Sequence, residues 1–164
     1  MDHAHQHHTD PAHTGHRHDT ESLNKTALVA TLHCLLGCAI GEVAGLLIGT
    51  ALGWSNVATI ALAVALAFTS GFALTALPFL RRGYALKAAL RIAFAADAAS
   101  ITIMEIVDNA LMLAIPGAME ASIGSLLFWA SMAVSLAVAG VAAYPVNRWL
   151  IARGKGHAVA HAIH

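Results

Sequence analysis

Cys34, Cys38 and Glu42 recur at every fourth position in TLHCLLGCAIGEVAG, and further along Asp97, Met104, Glu105, Asp108 and Met112 fall within about 100° of one another at helical spacing. All eight are embedded in otherwise apolar sequence. Thiols and thioethers favour soft ions such as Cu(I), imidazole favours zinc or copper, and carboxylates favour harder ions or protons. Cys34 and Cys38, one helical turn apart, therefore form with His33, Met104 and Met112 a candidate ligand set for a transition metal. Glu42, Asp97, Glu105 and Asp108 form a candidate pathway for ions or protons. Each reading has a plainer competitor. Buried cysteine is often only a small hydrophobe, a lone histidine such as His33 often caps a neighbour's carbonyl, and buried acids can be neutral carboxyls hydrogen-bonded between helices.

A second group of metal-binding residue types lies at the start of the chain. His3, His5, His7, His8, His13, His16 and His18 stand among Asp, Thr, Pro and Gly in the patterns HAHQHH and HTGHRH, without a fixed ligand geometry. The pattern suggests loose capture of copper, zinc or nickel ions. An expression tag is the alternative, and the irregular spacing speaks against it. His157, His161 and His164 add three more near the C-terminus.

These residues are positioned by long apolar runs. Of 164 residues, 58% are hydrophobic and 11% charged, with no net charge and 6% aromatic residues, a composition suited to the lipid bilayer as partner and unsuited to nucleic acid. The predicted architecture is all-α: an integral membrane four-helix bundle with a disordered His-rich N-terminal tail over residues 1–24. The bundle occupies 25–151, with spans at 27–52, 57–77, 88–115 and 123–144, each close to or above the roughly 20 residues a crossing needs. Pro78 and Pro116-Gly117 are read as stops, and Pro145 as the start of an amphipathic exit. Residues 152–164 form a basic tail bearing histidines. The tail's acidic and histidine-rich start does not resemble a cleavable signal peptide.

Gly37, Gly41, Gly45 and Gly49 extend the small-xxx-small pattern of close helix contact along the first span. Such a ladder serves packing within the bundle, a partner helix, or a homo-oligomer. Of the nine Lys and Arg residues, eight fall before the first span, between the second and third, or after the fourth, and Arg91 sits in the first turn of the third at the same end. The positive-inside rule then places both termini in the cytoplasm. At 1.5 Å per residue Glu42 lies roughly 22 Å and Glu105 roughly 25 Å from that side, with Cys34 and Asp97 sharing a shallower level. A weak repeat pairs Glu42-x-x-Gly45 with Glu105-x-x-Asp108, and Pro78-x-x-Arg81 with Pro145-x-x-Arg148.

The stretches HCLLGCAIGEVAG (33–45), ADAASITIMEIVDNALMLAIPGAM (96–119) and YPVNRWLIARGKGHAVAH (144–161) resemble the bacterial membrane family known as domain of unknown function 4396. The resemblance implies a multi-helix protein of the bacterial inner (plasma) membrane and carries no activity with it. A looser similarity is to four-helix mercuric-ion transporters, which also place a cysteine pair in their first helix, at a narrower spacing. No catalytic triad, phosphate-binding loop or zinc-protease helix is present, so no enzyme activity is expected. Three functions remain open: a small metal-ion permease, a structural or assembly subunit of a membrane complex, and an oligomeric proton or cation channel.

Overall fold

The computed structural model describes the backbone of residues 12–153 and the side chains of residues 20–153. Four helices account for nearly all of it: α1 (Ala12–Ala51), α2 (Asn56–Arg81), α3 (Leu86–Ala114) and α4 (Leu126–Ala152), with no strand among the described residues. Local chemistry sets their ends. The chain leaves both α1 and α2 through a glycine in the left-handed region, Gly53 and Gly83. Each end is closed by the paired backbone bonds of a Schellman motif, Trp54 to Gly49 with Gly53 to Thr50, and Tyr84 to Phe79 with Gly83 to Leu80. Ser55 and Ser125 accept from the backbone N–H groups of Ala58 and Phe128 and so cap α2 and α4. α3 stops at Ile115, held extended by the proline that follows it.

Residues 20–51 of α1 and the whole of α2 and α4 are long and apolar enough to cross a membrane. α3 is 29 residues long and misses on composition alone, because it carries Lys87, Arg91 and three acids. Its acids are buried, while its outward side chains Leu90, Phe94, Ile106 and Leu113 are as apolar as those on its neighbours. Each helix packs against its successor in the chain and α4 closes the ring on α1, which leaves α1 and α3 facing each other across the bundle axis. The polar faces of the two acid-bearing helices are thereby aimed at the centre.

Four boundaries differ from expectation. α1 is already helical at Ala12, the first described residue, so of the expected disordered tail residues 12–24 are helical and 1–11 lie outside the described residues; adding residues to an existing helix is far easier than nucleating one. α2 runs through Pro78 to Arg81, and α4 through Pro145 to Ala152. A proline removes one backbone hydrogen bond, and burial of Phe79 after the first and of Asn147, Leu150 and Ile151 after the second offsets that loss. At its other end α4 begins at Leu126 rather than 123, because Ser125 is the capping residue.

The glycine ladder lies along the α1–α2 seam. A Cβ at Gly37 would sit 2.6 Å from the Gly71 Cα, and at Gly41, Gly45 and Gly49 it would overlap Ala67, Ala63 and Thr59. The Ser70 hydroxyl donates across the seam to the Gly37 carbonyl at 2.5 Å. The partner helix of the ladder is thus α2 of the same chain. Of the three uses open to the ladder, packing within the bundle is the one the structure shows, because α2 covers that face. The buried rows on α2 (Thr59, Ala63, Ala67, Gly71, Thr75) and α4 (Ser131, Ser135, Ala139, Ala143, Asn147) keep the same spacing of four, which presents i±4 ridges to the neighbouring helices.

Gly41→Val should destabilise the bundle by at least the roughly 1–3 kcal/mol of core overpacking, since the clash is with backbone. Gly124→Ala, where a Cβ meets only the Ser122 hydroxyl at 3.9 Å, should leave the melting temperature unchanged. Thermal unfolding of the two variants in detergent, followed by circular dichroism, checks both.

Candidate functional site

Along the axis between α1 and α3 the buried polar side chains form a column, and its lower end is the end that carries the basic residues. There the amide of Asn147 donates to the Thr31 hydroxyl at 2.9 Å and its oxygen accepts from the Ser100 hydroxyl. Thr31 in turn donates to the Ala27 carbonyl at 2.8 Å. This chain of hydrogen bonds ties α1, α3 and α4 together. Close by, the Cys34 thiol donates to Asp97 Oδ1 at 3.6 Å, with His33 and Thr75 next to the same carboxyl.

Farther up, Cys38 faces Glu105, and Glu42 faces Asp108 and Glu105. Asp108 accepts a hydrogen bond from the Ser135 hydroxyl of α4 at 2.5 Å. Beyond them a cavity of about 20 Å³ opens between Glu42, Asp108, Asn109, Met112, Met119 and Met132. From Asp97 to Asp108 the column climbs about 16 Å, eleven residues at the helical rise. Glu42, Glu105 and Asp108 meet at one level and Cys34 rests against Asp97, which is the arrangement the depth count anticipates.

The four acids expose between 3% and 5% of their surface. Both oxygens of Glu42, both of Glu105 and one of Asp97 accept no hydrogen bond. No cation compensates them from inside: among the described residues every Lys and Arg is exposed except half-buried Arg148, which donates to Asn24 at 2.7 Å at the basic end. An ionised carboxylate at mid-bilayer costs about 3 kcal/mol even on the smaller scales. Each acid in the column must therefore be neutral or meet a positively charged species.

The metal-ligand set is less coherent. Cys34 and Cys38 are free thiols buried in one core cluster with Met104. Met112, eight residues or about 12 Å along α3, lines the cavity with Glu42 and Asp108 instead. His33 is half-buried. The five residues are therefore spread along the column. Among the described residues no group of three or more His, Cys, Asp and Glu side chains could hold a metal ion. Of the histidines read as a capture tail, His3, His5, His7 and His8 lie outside the described residues, as do His157, His161 and His164; for His13, His16 and His18 only the backbone is described.

Sequence reasoning passed over Thr31, Thr75, Ser100, Ser135 and Asn147, which supply the hydroxyl and amide partners of the column. For α4 a signal was present: Ser131, Ser135 and Asn147 share the every-fourth-residue row of Ala139 and Ala143. Reading Pro145 as the start of an exit hid its last member.

Residues 23–156 match the family described as "Domain of unknown function (DUF4396)", and the chain belongs to that family. No curated protein and no solved structure matches the chain.

Two outcomes follow from the geometry. In a Cys38→Ser background, Asp97→Ala removes the acceptor of the Cys34 thiol and opens space beside it, so modification by N-ethylmaleimide in intact membranes should quicken severalfold over the same background with Asp97 intact. Asn147→Leu strands the Ser100 hydroxyl and removes the donor to Thr31, and should cost about 1–2 kcal/mol, within the range for buried groups left unpaired, read as a fall in melting temperature.

Proposed function

We propose that this protein moves a cation across the membrane, the column of thiols and carboxyls between α1 and α3 serving as the path and α2 and α4 as its walls. The observation that carries this reading is the set of five carboxyl oxygens of Glu42, Asp97 and Glu105 that are buried and accept no hydrogen bond, with no lysine or arginine beside them. A set of acids placed for stability alone would be matched to donors, as Asp108 is to Ser135. Acids that relay a proton or coordinate a passing ion need open lone pairs.

The thiols extend the range of cargo from protons and hard ions toward soft transition metals. In this reading the N-terminal histidines concentrate metal ions near the basic end, where Cys34 and Asp97 receive them. In this reading the positive-inside rule assigns that end to the cytoplasm, with both termini there and a bacterial inner membrane as the host. Passage makes and breaks no covalent bond, so the protein is not an enzyme.

A structural or assembly subunit is the second reading. It is favoured by the bonds Cys34–Asp97 and Ser135–Asp108, in which acids already act as interhelical acceptors. Flux separates the two. Full-length protein in proteoliposomes, with a trapped pH dye and a potassium diffusion potential for protons and radiotracers for metal ions, should show a cation flux. Glu42→Gln and Glu105→Gln should each lower it at least tenfold, while Glu120→Gln, in the exposed α3–α4 loop, should not change it. Loss of flux in Cys34→Ala/Cys38→Ala for metal ions but not for protons would assign the thiols to metal passage. Wild-type flux equal to that of protein-free liposomes for every cation would overturn the proposal in favour of the assembly role.

A further inference from the structure

The cavity at the upper end of the column has a ligand chemistry unlike the rest of the molecule. Three of the five methionines converge on it from separate elements: Met112 from α3, Met132 from α4 and Met119 from the loop between them. Met112 and Met132 are buried and Met119 is half-buried, so the group reaches from the interior toward the surface. Glu42 lines the same space, is 97% buried and has both carboxyl oxygens unpartnered. The volume, about 20 Å³, is enough for one water molecule or a bare ion.

We infer that this cavity is a binding site for a soft monovalent cation of the Cu(I) and Ag(I) class, held by the thioethers of Met112, Met119 and Met132 with the Glu42 carboxylate as counter-charge. Methionine alone would be an ordinary gap-filler in a membrane core. What sets this group apart is the shared space with an acid whose two buried oxygens accept no hydrogen bond. Thioethers are poor ligands for Zn(II), Ni(II) or hard ions and good ones for soft closed-shell ions. Charge points the same way. One carboxylate and one monovalent ion form a neutral pair, which removes the cost of a charge at this depth, whereas a divalent ion would also need Asp108, whose side chain is engaged by Ser135. The site lies away from the basic end, so on the reading of the column as a cation path, on which this role alone rests, it is the mouth opposite the thiols.

The test is a titration of full-length protein in detergent micelles, labelled with carbon-13 at the methionine methyl groups, with silver nitrate. Ag(I) has the charge and softness of Cu(I) without its redox chemistry. Cys34→Ala/Cys38→Ala serves as the background so that thiols do not compete. The methyl signals of Met112, Met119 and Met132 should move together and saturate at one equivalent, with Met104 unmoved. Met119→Leu, at a half-buried loop position that does not threaten the core, and Glu42→Gln should each weaken binding at least tenfold. Signals that stay fixed, a Met104 shift equal to the others, or an affinity indifferent to Glu42→Gln would each overturn the site. The titration requires no transport. Absent binding with flux intact removes the site and spares the passage, and intact binding without flux does the reverse.

Discussion

A carboxyl group inside a bilayer has no water to solvate it, so protein must enclose every face of it. That constraint orders the whole bundle. α3 carries three such groups on one side and α1 a fourth, and no packing of two helices alone could cover both sets. The ring of four, with α1 and α3 on the diagonal, puts all four acids on the axis and leaves leucine, isoleucine, valine and phenylalanine outside. The glycine ladder serves the same end. Because α2 sits almost backbone to backbone against Gly37, Gly41 and Gly45, the cysteine and glutamate positions on α1 are free to face inward.

The energetics of the column tie occupancy to folding. Four unpaired ionised carboxylates at about 3 kcal/mol each would consume about 12 kcal/mol, comparable to the roughly 5–15 kcal/mol by which domains are stable at all. The folded state therefore requires the column to hold protons or cations, and whatever binds there stabilises the fold by mass action. One hydroxyl and one thiol temper this unevenly. Ser135 satisfies one oxygen of Asp108 and Cys34 one of Asp97, while Glu42 and Glu105 receive nothing. The two glutamates are thus the positions most sensitive to what occupies the axis.

How much of this was legible in the sequence depends on the kind of signal. Four apolar runs gave the helices, because crossing length and absence of charge are properties of single segments. The meeting of Glu42 with Glu105 and Asp108 was legible as well, since both helices start from the same basic end and depth follows from residue counting. The partner of the glycine ladder was not, because a small-residue row says that some backbone comes close and not which one. Asn147 was missed for a related reason: a proline reads locally as a break, and only burial of the residues after it shows that the helix goes on. Met119 and Met132 carried no periodic signal at all. One is in a loop and the other on a different helix, so only the tertiary structure sets them beside Glu42.

The proposed passage requires that no level of the column hold its ion firmly. A site with three or more ionised or imidazole ligands binds a metal firmly and releases it slowly, whereas conduction needs several weak sites in series. From the cavity to the basic end the axis offers thioethers with Glu42, then Asp108 and Glu105 with Cys38, then Cys34 with Asp97, and finally the neutral Thr31, Ser100 and Asn147. The three levels that bear acids supply one, three and two groups that can carry negative charge, and the last supplies none. On the proposed reading as a cation path, a monovalent cation would be neutralised at each acid-bearing level, and the uncharged level nearest the basic residues would set the barrier between the column and that end.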